Sequence, residues 1–168
     1  MKEYVVQYNN GKHSCGPIVL LNALRHQGHR AGRKHLPWIA RRLKSTGNGV
    51  FVRDLDRVGR QMGAFKRLYR PSFTKIDHHL MRGNAVAFRI GLKQETDEGT
   101  RYMGHYLLLT AIWCHRGNVS YYTCNIGGKC KWMEFDDLDR FYSRLYDDWW
   151  ITHTWLVPLK GKKLRLIA

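Results

Sequence analysis

The sequence predicts an α+β fold, with helices in its first half and antiparallel strands in its second half. Up to residue 82, apolar side chains recur mostly at helical spacing. After Gly83, segments rich in β-branched and aromatic residues alternate with Gly and Asn turns. A chain of 168 residues with 43% hydrophobic content can bury one core. We therefore predict a single domain over residues 1–168, with a basic, mobile tail at 160–168.

The first predicted helix is the central, buried one. Ser14 can cap it, Pro17 suits its first turn, and Gly28 ends it just after Gln27. Its apolar residues leave no clean polar face, which indicates a helix enclosed by the rest of the domain. A short strand over Glu3–Gln7 and a polar loop are predicted before it.

Three further helices are predicted before the strands begin. Pro37 starts one that ends in the loop Ser45–Gly49. The segment Val52–Met62 carries apolar residues at 3.6-residue intervals. Thr74 with Asp77 predicts a capping box at the start of a short helix.

The second half of the sequence predicts a sheet of antiparallel strands. A hairpin turn is predicted at Arg116-Gly117-Asn118, and another at Gly127-Gly128. One helix, over Phe135–Leu145, interrupts the strands. The predicted strands are Ala85–Ile90, Tyr102–Cys114, Ser120–Cys124 and Ile151–Pro158.

The chain is strongly basic, with 29 Lys and Arg against 13 Asp and Glu and a net charge of +16. Residues 25–70 hold 13 of the basic side chains and only two acids, Asp54 and Asp56. This imbalance predicts an electropositive face and an anionic partner, either an acidic protein or nucleic acid. A solvated surface tuned for solubility is the alternative.

The four cysteines are expected to be free thiols in a cytoplasmic protein. No basic-then-apolar leader opens the sequence, and no apolar run approaches the roughly 20 residues that span a bilayer. We therefore predict no membrane association. Cys114, His115, Cys124 and Cys130 could surround zinc, but their spacings match no common finger or ribbon. The sequence thus predicts neither a metal nor a cofactor.

Cys15 and His105 are the candidate nucleophile and base of an acyl-transfer site. Cys15 opens the central helix, where unpaired N–H groups and the helix dipole stabilise a thiolate. Gly16 beside it leaves room for a substrate backbone. His105 opens a hydrophobic strand directly after Gly104, and such a strand is a rigid mount for a base. The alternative for Cys15 is a small buried hydrophobe.

Two polar residues complete the candidate site. Asn125 ends the strand that pairs with the His105 strand, so it could orient the imidazole. Gln7 precedes Cys15 by eight residues and could donate its amide to a developing oxyanion. The alternatives are ordinary, a turn residue for Asn125 and a polar strand end for Gln7.

The sequence resembles the papain-like peptidases that process double-glycine leaders of bacteriocins, and their stand-alone relatives. The similarity spans nearly the whole chain in order and spacing. One departure is Asn125-Ile126, where the relatives usually have Asp-Pro. The resemblance rests on Gln7, Cys15-Gly16-Pro17, Leu21–Leu24, Gly47–Gly63, Leu80–Phe88, Gly104–Leu109 and Asn125–Phe135.

The resemblance implies a papain-like fold, with the central helix packed on a C-terminal antiparallel sheet. It implies a cysteine peptidase that cleaves a peptide or isopeptide bond through a Cys15 thioester, with His105 as base, Asn125 as orienting residue and Gln7 as oxyanion donor. A phage or mobile-element product acting on a host protein would fit this combination. The alternative is an inactive papain-like fold that binds nucleic acid, nucleotide or an acidic protein through its electropositive helical half.

Overall fold

The computed structural model describes residue 4, residues 15–46, 49–126 and 129–159. Several sequence predictions therefore lie outside the described residues: the cap Ser14, the turn Gly127-Gly128, the tail 160–168 and, apart from Tyr4, the strand Glu3–Gln7. Everything stated below about the fold concerns the described ranges.

Five α-helices are present in the described ranges. None of them is long and apolar enough to cross a membrane. A single 3₁₀ turn, Arg33–His35, leads into the second helix. The helices are α1 (Cys15–His26), α2 (Leu36–Arg42), α3 (Val52–Gln61), α4 (Phe73–Met81) and α5 (Phe135–Ser143).

The strands form one antiparallel sheet. Its six strands are ordered β1-β6-β2-β3-β4-β5. The long hairpin of β2 and β3 lies at the centre, and its register pairs Ile90 with His105 and Gly91 with Gly104. The strands are β1 (Lys66–Leu68), β2 (Ala85–Thr96), β3 (Gly99–His115), β4 (Asn118–Ile126), β5 (Lys129–Glu134) and β6 (Asp148–Val157).

Each face of this sheet is covered by helices, and each carries its own apolar cluster. Residues of β3 alternate between the two faces, as successive side chains of a strand must. Tyr106 and Leu108 join the cluster of α1, whereas Leu107 and Leu109 join the cluster of α4 and α5. The central helix is enclosed on all sides, because 11 of its 12 residues are buried. The predicted α+β architecture, with the central helix on the sheet, is confirmed.

The predicted hairpin at residues 116–118 is also confirmed. His115 pairs with Asn118 across a two-residue turn, in which Arg116 (φ 49°) and Gly117 (φ 83°) both adopt left-handed conformations. Two positive φ values are the signature of a type I′ turn, whose twist matches that of the flanking strands.

Two sequence predictions about local structure were wrong. The cap of α4 is Ser72, whose side chain accepts from the Lys75 amide at 3.3 Å, so Thr74 lies inside the helix. The strand β1 was not predicted, because three residues, Lys66–Leu68, are too few to show a periodicity. This strand pairs with β6 at the edge of the sheet.

Candidate active site

Cys15 is the first residue of α1 and only 9% of its surface is exposed. Its own N–H and those of Gly16 and Tyr106 point toward the sulfur and favour the thiolate. Burial has the larger effect, and it raises the pKa of the Cys15 thiol above the ordinary value of 9.0. The thiol is therefore protonated at neutral pH in the free protein.

His105 is half-buried on β3, and its ring is held by a backbone carbonyl. Its Nε2 lies 2.7 Å from the carbonyl oxygen of Asn125. A carbonyl can only accept, so Nε2 carries the proton and Nδ1 is left as the basic nitrogen. Burial lowers the pKa of His105 below the ordinary value of 6.5, with the Asn125 carbonyl acting in the opposite direction. The imidazole is therefore neutral at neutral pH.

The thiol and the imidazole meet at one peptide bond of β3. The Cys15 sulfur faces the amide of Tyr106, which is the amide that joins Tyr106 to His105. Within the described ranges, no hydrogen bond joins the sulfur to the ring. The structure thus brings the two residues to the same end of β3 as a neutral pair, without direct contact.

Asn125 contacts the ring through its backbone, and its side chain faces elsewhere. The side-chain amide donates to the carbonyl of Tyr106 at 3.2 Å, and Oδ1 has no hydrogen-bond partner among the described residues. The residue has a left-handed φ of 75°, which turns its carbonyl out of the β4 ladder toward His105. In this geometry the backbone carbonyl makes the contact that the sequence assigned to the side chain.

Asn125→Gly is expected to retain most hydrolytic activity, within about tenfold of the wild type in kcat/KM. Glycine tolerates the left-handed φ and keeps the carbonyl that holds the ring. Losing the bond to Tyr106 should cost about 1 kcal/mol of stability. Steady-state kinetics and thermal unfolding would check this, with Asn125→Ala as the matched strained variant. A loss of 10³-fold or more in the stable glycine variant would return the orienting role to the side chain.

The spaces beside Gly16 and Gly104 are occupied by neighbouring side chains. A Cβ on Gly16 would lie 2.8 Å from the Cβ of Val50, and one on Gly104 would lie 2.5 Å from an Arg89 nitrogen. Both glycines therefore allow close packing within the chain, and their assignment to substrate binding stays a prediction. Gln7, the predicted oxyanion donor, lies outside the described residues.

A cleft of about 1100 Å³ opens at this end of β3. One wall is the segment before and within α3, and the other is α5 with Trp150; the ends of β2 and β3 form the floor. Tyr106 ties the first wall to the floor, because its hydroxyl donates to the carbonyl of Val50 at 3.0 Å. Burial raises the pKa of Tyr106 to about 12, so this hydroxyl remains a donor.

Comparison with solved structures identifies this architecture. A C39-like peptidase from Bacillus anthracis matches with a TM-score of 0.62 at 11% identity, over 96% of each chain. The peptidase domain of Streptococcus ComA, a bifunctional ABC transporter involved in a quorum-sensing pathway, matches with a TM-score of 0.55 at 15% identity. That match covers 93% of this chain and 99% of the ComA domain. This chain has the C39 cysteine peptidase fold. Neither family models nor curated protein sequences give a match.

In this C39 fold the sequence reasoning missed one charged residue of the cleft. Arg89 lines the cleft from β2 and lies opposite Tyr106. A signal was available, because Arg89 is the one charged residue in the otherwise apolar stretch Ala85–Leu92. A charge within a buried strand requires a structural or functional partner.

The other three cysteines of this C39 fold lie outside the cleft. Cys124 and Cys130 are directly opposite on β4 and β5, with their thiols hydrogen-bonded, and Cys114 is exposed. The hydrogen bond from Cys124 lowers the pKa of Cys130, and it raises that of Cys124. Within the described ranges, no three His, Cys, Asp or Glu side chains gather as a metal site would require.

The thiol environments predict an alkylation order at pH 7.5. Cys114 and Cys130 should react first with iodoacetamide, and buried Cys15 and Cys124 about tenfold more slowly or slower still, because only thiolates react. The helix N-terminus considered alone predicts the opposite order, with Cys15 first. Peptide mapping after timed alkylation would measure the four rates, with the urea-unfolded chain as control. Fast labelling of Cys15 at this pH would contradict the neutral thiol.

Proposed function

We propose that this protein is a cysteine peptidase that cleaves a peptide or isopeptide bond with Cys15 as nucleophile and His105 as general base. The observation that carries the proposal is the meeting of a helix-terminal thiol and a carbonyl-anchored imidazole at the 105–106 peptide bond, beside the cleft. The C39 fold supports it, because the two neighbours that share the fold are peptidases. We place the reaction in the cytoplasm, where free thiols persist.

The neutral pair implies general-base attack. As the Cys15 sulfur attacks the substrate carbonyl, its proton moves to Nδ1 of His105, which becomes an imidazolium. The imidazolium then protonates the leaving amine, and a thioester remains on Cys15. Water, deprotonated by the same nitrogen, hydrolyses the thioester and restores the thiol. Throughout, Nε2 stays bonded to the Asn125 carbonyl, which holds the ring in place.

The oxyanion formed during attack needs donors near the sulfur. The Cys15 amide lies at the N-terminus of α1, where helix N–H groups are free to bind negative charge. We assign the second donor to the side-chain amide of Gln7, as the sequence analysis predicts. Together they would stabilise the tetrahedral intermediate on one side while His105 acts on the other.

Profiling of a peptide mixture tests the proposed activity. The purified chain would be incubated at pH 7.5 under reducing conditions with several hundred synthetic decapeptides and isopeptide-linked pairs, and new termini would be read by mass spectrometry. We expect a reproducible set of cleavages that depends on time and enzyme concentration. No cleavage by the folded, reduced protein would sink the peptidase proposal.

A second function is favoured by the basic surface of the helical half. Its two acids are already engaged, Asp54 with Arg57 at 3.2 Å and Asp56 with Arg60 at 2.9 Å. Five exposed basic residues nearby make no ion pair with any described residue; they are Arg30, Lys34, Arg41, Arg42 and Lys44. We propose that these five residues, the basic surface, bind an acidic protein or nucleic acid, alone or as recruitment to the cleft.

Removing charge from the basic surface should weaken polyanion binding in a salt-dependent manner. In Lys34→Gln/Arg41→Gln/Arg42→Gln, the slope of log affinity against log salt for a DNA duplex should fall by about 3. The matched control removes three exposed charges from the sheet half, by Arg116→Gln, Lys129→Gln and Arg144→Gln. Fluorescence anisotropy between 50 and 300 mM salt is the measurement. Equal slopes in both triple variants, or no binding at all, would refute the nucleic-acid role.

A further inference from the structure

We propose that the guanidinium of Arg89 makes the cleft selective for peptides that carry a carboxylate side chain next to the bond to be cleaved. This inference rests on the proposed function and names the substrate class of the same site.

Arg89 is held in a defined position at the floor of the cleft. Its Nη1 donates to the hydroxyl of Thr152 at 3.1 Å, and that hydroxyl donates back to the carbonyl of Arg89 at 3.0 Å. The guanidinium occupies the space beside Gly104, where a Cβ would lie 2.5 Å from its nearest nitrogen. Gly104 immediately precedes His105. The charge is therefore fixed one residue from the general base.

The positive charge of Arg89 has no counter-ion in the described part of the chain. No ion pair includes Arg89, and none of the described residues that line the cleft is acidic. The other cationic side chain of the lining, Arg53, is 84% exposed and lies 3.9 Å from Asp54. A half-buried, uncompensated guanidinium in an open cleft favours an anionic ligand.

A carboxylate matches this guanidinium in charge and in geometry. Arginine presents its donors in a planar fork that binds a carboxylate through two parallel hydrogen bonds. One nitrogen is used by Thr152, and the donors that remain can face the cleft. The charge of Arg89 also reaches the Cys15 sulfur. A substrate carboxylate bound here would consequently lie beside the scissile bond rather than at a distant subsite.

Arg89 could instead serve only catalysis or packing. Its charge could stabilise the developing thiolate for every substrate alike, or it could merely tie β2 to Thr152 of β6. Either role would change the turnover of all peptides by the same factor. A specificity role alone changes the ratio between matched acidic and neutral peptides, so this ratio is the diagnostic quantity.

The test compares peptide pairs that differ only by Glu and Gln. One cleaved decapeptide is resynthesised with a single Glu, or a single Gln, at each of the three positions on either side of the cut. We expect the Glu member to be preferred about tenfold in kcat/KM at one position next to the cut. Arg89→Gln should bring this ratio to about one, Arg89→Lys should keep part of it, and Arg53→Gln, the matched control, should keep all of it.

A binding measurement separates this inference from the proposed function. The same labelled peptides are titrated into Cys15→Ala, with and without Arg89→Gln, and circular dichroism confirms that each variant is folded. If the wild type cleaves nothing but Cys15→Ala prefers Glu peptides through Arg89, the peptidase proposal fails and the Arg89 inference stands. If cleavage occurs with a ratio near one, or Arg53→Gln also removes the ratio, the Arg89 inference is overturned.

Discussion

Cys15→Ala is expected to abolish peptide hydrolysis, with kcat/KM falling by on the order of 10⁴ or more. The substitution removes the only atom that can form the thioester, and no other thiol can replace it, because Cys124 and Cys130 lie on β4 and β5 outside the cleft lining. Cys15 packs as a small side chain at the end of α1, so the loss of stability should be near 1 kcal/mol. Initial rates with a cleaved peptide and thermal unfolding are the measurements.

Cys114→Ala is the matched control for this experiment. It also removes one thiol, but from an exposed position on β3. Its activity should equal that of the wild type. If Cys15→Ala retained its activity, or if both variants lost it, Cys15 would not be the nucleophile.

His105→Gln is expected to lower kcat/KM by 10²- to 10⁴-fold, the usual contribution of a positioned general base. The glutamine amide can still donate to the Asn125 carbonyl, so the local structure should survive while the basic nitrogen is lost. In the wild type, kcat/KM should rise with pH through a midpoint below 6.5, because burial lowers the pKa of His105 and only the neutral ring accepts the thiol proton. This midpoint should vanish in the variant.

The pH profile distinguishes the neutral pair from a preformed ion pair. A neutral pair needs an unprotonated imidazole, so activity is lost as pH falls through the His105 pKa. An ion pair would lose activity only near the much lower pKa of a stabilised thiolate. His79→Gln is a suitable control, because burial also lowers the pKa of that histidine but it lies on α4, outside the cleft. A wild-type profile that His105→Gln leaves unchanged would exclude His105 as the base.

The sequence predicted the central helix well because its signals are local. The proline, the glycine stop and the apolar composition of α1 all act within the helix itself, and the structure confirms a helix over Cys15–His26. The strand pattern was recognised for the same reason, although β2 and β3 extend beyond the predicted segments. In contrast, β1 exists only because β6 supplies a partner about 90 residues later, which no local pattern encodes.

The site was less accessible to sequence reasoning, because its chemistry depends on burial and on backbone direction. A helix N-terminus predicts an acidic thiol at Cys15, but the surrounding core raises the pKa instead. The amide of Asn125 suggested a side-chain contact, whereas the left-handed backbone presents the carbonyl. Arg89 acquires its meaning only when β2 and β3 pair and place it beside Gly104.

Trapping the acyl-enzyme tests the central claim most directly. A cleaved peptide sequence is prepared as an activated p-nitrophenyl ester, mixed with the protein for milliseconds to seconds, quenched in acid and examined by intact mass and peptide mapping. Our account predicts a mass increase equal to the peptide acyl group, located on the fragment that contains Cys15, absent from Cys15→Ala and strongly slowed in His105→Gln. Acylation confined to Cys114 or Cys130, or no acylation of the folded protein, would contradict it.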